Sequence, residues 1–146
     1  MRSITLLFAI VSLGLCVHAQ CFQLAKAESK TALAPYIHDG NYNALILNEG
    51  QNAEIYKTFY ADTEYRLHFS HEEVLPNIVF TVKNQDREVL FSNETDPSVK
   101  SWDFKLEKSQ KLIITFKIPK DKSSSSTELK RGCISILVGF LDDEKA

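Results

Sequence analysis

AEIYKTFYADTEYRLHF, residues 53–69, is the stretch whose reading decides the fold. Ile55, Lys57 and Phe59 alternate with Tyr56, Thr58 and Tyr60, and further on Tyr65, Leu67 and Phe69 alternate with Arg66 and His68. A period of two carried by aromatic and β-branched side chains marks strands buried on one face. Ala61, Asp62 and Thr63 form a polar connection of hairpin length, so the stretch predicts a β-hairpin. An isolated hairpin is marginal in water and needs more sheet around it.

The remaining chain offers that sheet. Asp39-Gly40 is a turn signal, Asn41 to Leu47 alternates as a strand, and Asn48-Glu49-Gly50-Gln51 turns the chain back. Downstream, Ile78 to Lys83, Glu88 to Phe91, Trp102 to Leu106, Lys111 to Ile118 and Cys133 to Leu141 read as further strands separated by polar turns. The unbroken Leu112-Ile113-Ile114 predicts a strand covered on both sides. Phe22 to Ala34 is the one helix-compatible stretch, with Phe22, Ala25, Ala32 and Leu33 as a weak apolar face and Pro35 ending it; an irregular lead-in fits equally well. About eight short strands with regular turns predict an all-β fold: an antiparallel β-sandwich of jelly-roll type, preceded by a possible short N-terminal helix. A small barrel is the alternative on the same pattern.

Composition narrows the class. A chain of 146 residues, 44% hydrophobic and 25% charged, has room for one globular domain. Its net charge of -2 argues against nucleic acid as the main partner. Arg2, the apolar run Ile4 to Val17 and the small residues of Val17-His18-Ala19 predict a cleavable export signal over residues 1–19. Cleavage removes one cation, Arg2, and no acid, taking the net charge to -3. Residues 20–146 then form a single domain, with a low-complexity surface loop at 120–130 and an acidic tail at 142–146. No stretch approaches the roughly 20 apolar residues of a membrane span, so the reading is an exported protein, periplasmic or secreted.

Cys16 leaves with the signal, and Cys21 and Cys133 remain. Two cysteines in an oxidising compartment predict one disulfide between the ends of the domain, with two free buried thiols as the alternative. A lipid-modified Cys21 is a further reading, although Gln20 before it is neither small nor apolar.

The chemistry-bearing residues point away from catalysis. His38, His68 and His71 have Glu72 and Glu73 nearby, but a strand surface and loops make solvated imidazoles the expectation. No nucleophile motif, metalloprotease motif or Gly-rich phosphate loop occurs, and Cys133 sits in an apolar strand unsuited to a reactive thiol. Asp39, Asp62, Glu64, Glu72, Glu73 and Asp96 are loop-edge carboxylates of the type calcium uses, at spacings that match no calcium loop. The expectation is no catalytic residue, no metal and no cofactor. Tyr36, Tyr42, Tyr56 and Tyr60 are the candidate contacts for a protein partner or a glycan, although strand tyrosines more often belong to a core. Lys117, Lys120, Lys122, Lys130 and Arg131 form a basic segment that either meets an acidic polymer or keeps a sheet edge from pairing. Asn93-Glu94-Thr95 has the form of a glycosylation acceptor of a eukaryotic secretory pathway.

One further signal is a likeness. Pro76 to Leu90, PNIVFTVKNQDREVL, resembles the central strand, turn and strand of bacterial pre-peptidase C-terminal domains, and Glu54 to Tyr60 resembles the strand before them. The resemblance spans roughly Gly50 to Phe140 and implies a jelly-roll-like sandwich in a secreted protein. Leu75-Pro76-Asn77 stands where that family carries acidic residues, which leaves a family-type calcium site without its usual ligands. The whole chain, above all Ala34 to Ala44, is similar to small exported proteins of Bacteroidetes. Together these imply a non-catalytic interaction or structural module of the bacterial periplasm or cell surface, its partner a protein or envelope component. The alternative is a carbohydrate-binding module using exposed tyrosines.

Overall fold

The computed structural model describes residues 16–75, 77–120 and 129–141. The export signal up to residue 15, most of the 120–130 loop (Lys122 included) and the acidic tail lie outside the described residues. In chain order the elements are α1 (Cys16–Leu33), β1 (Ile37–His38), β2 (Asn43–Asn48), β3 (Asn52–Phe59), β4 (Glu64–His71), β5 (Val79–Lys83), β6 (Val89–Ser92), β7 (Ser101–Lys105), β8 (Gln110–Lys117) and β9 (Arg131–Phe140). They make an all-β, antiparallel sandwich with one helix among the described residues. A five-stranded sheet runs β1-β9-β4-β7 with β2 also on β9, and a four-stranded sheet runs β3-β8-β5-β6. The eight strands read from the alternation are all present, and the two-residue β1 joins them by pairing His38 with Gly139.

The residues 53–69 fold differently from their sequence reading. β3 pairs with β8 in one sheet, while β4 pairs with β9 and β7 in the other. The two runs form an arch that crosses the sandwich, not a hairpin. Alternation records which side chains are buried and is silent on the hydrogen-bonded neighbour. The arch is closed by an aromatic contact: Phe59 and Tyr65 meet edge to face at 5.0 Å across the connection, and the Tyr60 N–H donates to the Tyr65 hydroxyl at 3.2 Å. Asp62 takes φ 61° in the connection, a left-handed conformation that Asp tolerates better than most side chains.

Between the sheets the inward rows interlock. Phe69 of β4 stacks on Phe80 of β5 at 4.5 Å, and Phe91 of β6 stacks on Trp102 of β7 at 5.5 Å. Phe59, Phe69, Leu67, Phe80, Phe116 and Ile134 are at most 1% exposed. β9 is buried on both faces. Ile134, Ile136 and Val138 enter the core between the sheets, while Cys133, Ser135 and Leu137 face α1.

The helix forms, and its buried face keeps Ala25 and Leu33 of the expected one but takes Cys21 and Ser29 in place of Phe22 and Ala32. Cys21, Ala25, Ser29 and Leu33, spaced by four, are the buried positions, while Phe22 is 42% exposed and touches Tyr42 at 4.9 Å. Small side chains there let the helix lie close on β9. Ser29 satisfies its own hydroxyl on the Lys26 carbonyl, which makes a polar residue acceptable in that stripe. Gly139 completes the fit: a Cβ there would stand 2.6 Å from the Tyr36 Cβ. The helix also runs through Ala19-Gln20, the predicted cleavage point.

Candidate functional site

The two outer faces of the sandwich are treated differently. The five-stranded sheet is roofed by α1, held at both ends. Near its start, Cys21 and Cys133 form the expected disulfide, with Cα atoms 5.5 Å apart. Past its end, Arg66 on β4 grips Asp103 on β7 through two 2.7 Å hydrogen bonds and donates to the Ala34 carbonyl at 2.9 Å. The same guanidinium lies 4.6 Å from the Tyr36 ring centroid. Hydrogen bonding to Arg66 holds the Asp103 carboxyl below the usual carboxylate range, partly opposed by burial.

Tyr36 and Tyr42 are therefore part of this roof. Both are half-buried against the Ala25, Leu33 and Leu137 cluster, and Tyr42 also packs on the His38 ring at 4.5 Å. Tyr56 and Tyr60 are the exposed pair, at 54% and 65%. Tyr56 stands on the outer face of the four-stranded sheet and donates its hydroxyl to Glu54 at 2.7 Å. Tyr60 stands where the β3–β4 arch begins, at the mouth of a cleft of about 360 Å³. That cleft has Phe59, Tyr65, Val138 and Phe140 in its lining, and the Asp39–Lys57 ion pair, closed at 2.6 Å, beside them. Lys57 occupies an inward position of an edge strand, in series with Ala53, Ile55 and Phe59. An inward charge on an edge disfavours further strand addition, and Asp39 offsets its burial.

His68 departs from the expectation of a solvated imidazole. It lies under α1 with its side chain 14% exposed, its Nδ1 2.7 Å from the Ser101 hydroxyl and its Nε2 3.9 Å from a Glu28 carboxylate oxygen. Burial pushes its pKa below the ordinary histidine value; Glu28 opposes the shift, and Lys100 and Arg66 add to it. The sign follows. Below about pH 6.5 the unfolded chain binds a proton that the folded chain resists, so stability falls with pH through that value and levels off below the folded pKa. Urea midpoints from pH 7.5 to 5.5 should therefore fall for the native chain and change less for His68→Gln; parallel curves would assign the loss to other groups.

Three of the six carboxylates that sequence offered as calcium ligands, Asp39, Glu72 and Asp96, have structural partners. Asp39 bonds Lys57 and the Asn41 N–H, Glu72 accepts the Cys133 N–H at 2.8 Å, and Asp96 accepts from Ser98. Among the described residues no three His, Cys, Asp or Glu side chains are grouped to hold a metal ion. Asn93 is 2% exposed, with its amide oxygen accepting from the Phe80 N–H at 2.7 Å and its nitrogen donating to Ile78 at 3.2 Å. A side chain so placed pins the loop to β5 and does not present a glycosylation acceptor. Of the basic segment, Lys120 and Arg131 are exposed, and Lys130 lies beside Glu49, whose carboxylate accepts the Lys130 N–H at 3.4 Å.

The outer face of the four-stranded sheet has no roof among the described residues. In register, Tyr56, Ile113 and Lys83 form one row, Thr58 and Lys111 a second, and Asn52, Lys117 and Val79 a third. Ile113 is 6% exposed there without a second layer over it. The predicted two-sided cover of β8 is thus half met by a layer: the core covers Leu112 and Ile114, and neighbouring side chains alone shelter Ile113.

No family model matches the chain, and no curated protein matches it. Among solved structures it is similar to the crystal structure of Aeromonas hydrophila PliG, described as a periplasmic lysozyme inhibitor of g-type lysozyme. The two share 14% identity with a TM-score of 0.50, over 69% of this chain and 85% of that one. That likeness is one of fold.

Proposed function

We propose that this chain is a non-catalytic exported module of the bacterial periplasm or cell surface that works by binding a protein. The observation that carries the reading is the unequal treatment of the two sheets. A helix, a disulfide and an arginine clamp seal one face over a tightly packed core, which leaves a rigid scaffold whose other face is open among the described residues. Rigid, preorganised surfaces bind with little ordering cost. A disulfide suits an oxidising compartment, and the likeness in fold to a periplasmic lysozyme inhibitor supports a protein partner. A lysozyme is accordingly the first partner class to try.

The test is in-cell crosslinking in the producing organism, followed by affinity enrichment and mass spectrometry. A single reproducible protein is the expected product. Enrichment of cell-wall or surface glycan with no protein would instead favour carbohydrate binding, for which the exposure of Tyr56 and Tyr60 is the supporting observation. Inhibition of a g-type lysozyme by the purified chain would name the partner directly.

A further inference from the structure

We infer that the outer face of the four-stranded sheet is the docking surface, and that its partner is a protein presenting acidic side chains around an apolar spot. The inference rests on the protein-binding reading and adds the place and the chemistry. Ile113 is the starting point. It sits at the middle of an open sheet face, on the central strand β8, where a solvated face would carry a polar residue. Around it stand Tyr56, 54% exposed, and Val89, 59% exposed, which is paired with Lys83 in the same row. Arg87, in the turn between β5 and β6, reaches Glu54 on β3 at 3.6 Å and so spans β8. An apolar centre with a tyrosine and an arginine, ringed by charges, is the anatomy of a protein interface.

The ring is basic. Lys83, Lys111 and Lys117 project from the same face as Tyr56; a further row of that face, Glu54, Thr115 and Thr81, holds an acid, Glu54, which is committed to Arg87 and Tyr56. Asp86 and Glu88 stand at one end, in the turn. The chain as a whole carries a net charge of -2, so this face differs in sign from the molecule that bears it. Complementarity selects an acidic partner, and it disfavours a second copy, since two such faces would bring like charges together.

The test places a photocrosslinking amino acid, p-benzoylphenylalanine, at Tyr56 on this face or at Lys105 on β7 of the other sheet, in the purified exported chain. Each is irradiated with the exported-protein fraction of the producing organism. The expected result is one protein adduct from position 56 and none from position 105, with an acidic partner identified by mass spectrometry. Its yield should drop about tenfold in about 0.5 M salt, and equally with Lys83→Glu, Lys111→Glu and Lys117→Glu combined, because both remove the charge complementarity. An unchanged melting temperature shows that the triple variant is folded. The inference is overturned by an adduct indifferent to salt and charge reversal, by an adduct of two copies of this chain, by a glycan adduct alone, or by no adduct at position 56. A protein captured from position 105 alone would remove this face and keep the protein-binding reading; capture from neither removes both.

Discussion

Replacing Cys21 and Cys133 together with alanine is expected to lower stability by about 3–5 kcal/mol, the chain-entropy value for so long a loop less some relaxation. The bridge spans 112 residues, nearly the whole domain, and joins α1 to β9. Its weight is large because the helix has little else. Its buried stripe is Cys21, Ala25, Ser29 and Leu33, of which only Leu33 is a large apolar side chain. Burying one leucine and one alanine contributes about 2–4 kcal/mol, no more than the bridge itself. Thermal melts should show a drop of about 10–20 °C, and reductant should carry the native chain to the same midpoint. Amide exchange should show α1 losing protection before the sheets do. A variant melting within a degree or two of the native chain would show that Arg66, Asp103 and the Leu33 contact hold the roof without the bridge.

That helix also shows where sequence is mute. Strand positions were legible because each strand announces itself through its own side chains: Trp102 and Phe104 face inward whatever lies opposite. Pairing is a property of two segments, and nothing in residues 53–69 says that β3 bonds β8 while β4 bonds β9. The helix face was obscured because close approach selects small side chains, and Cys21 and Ser29 do not score as apolar. His68 was misplaced for the same reason. The outward side of β4 is solvent only if nothing roofs it, and the roof comes from a segment some 40 residues earlier. Ile113 is the reverse case. Its local run asked for cover on both faces, and the described residues provide a layer on one. Tyr56 and Tyr60 were legible as candidates by type alone, since exposure was decided by which sheet α1 covers.

Phe69→Ala is expected to cost about 3–5 kcal/mol, a large share of the roughly 5–15 kcal/mol of a typical domain. Phe69 is fully buried, stacks on Phe80 at 4.5 Å and lies 6.0 Å from Phe91, so one ring from the roofed sheet bears on two strands of the open one. Removing it empties the contact through which β5 and β6 are held, and the interlocked rings around it have little freedom to collapse into the space. Phe69→Leu should recover most of the loss, because it restores volume without the ring. The comparison that gives the number meaning is Tyr56→Ala. An exposed side chain on the open face should shift stability by no more than about 0.5 kcal/mol. Denaturant midpoints should thus separate the two classes: a core aromatic that carries stability, and a face aromatic that is nearly silent in folding. If Tyr56→Ala also destabilised by several kcal/mol, the open face would be holding the fold together, and its exposed tyrosine would need no partner to explain it.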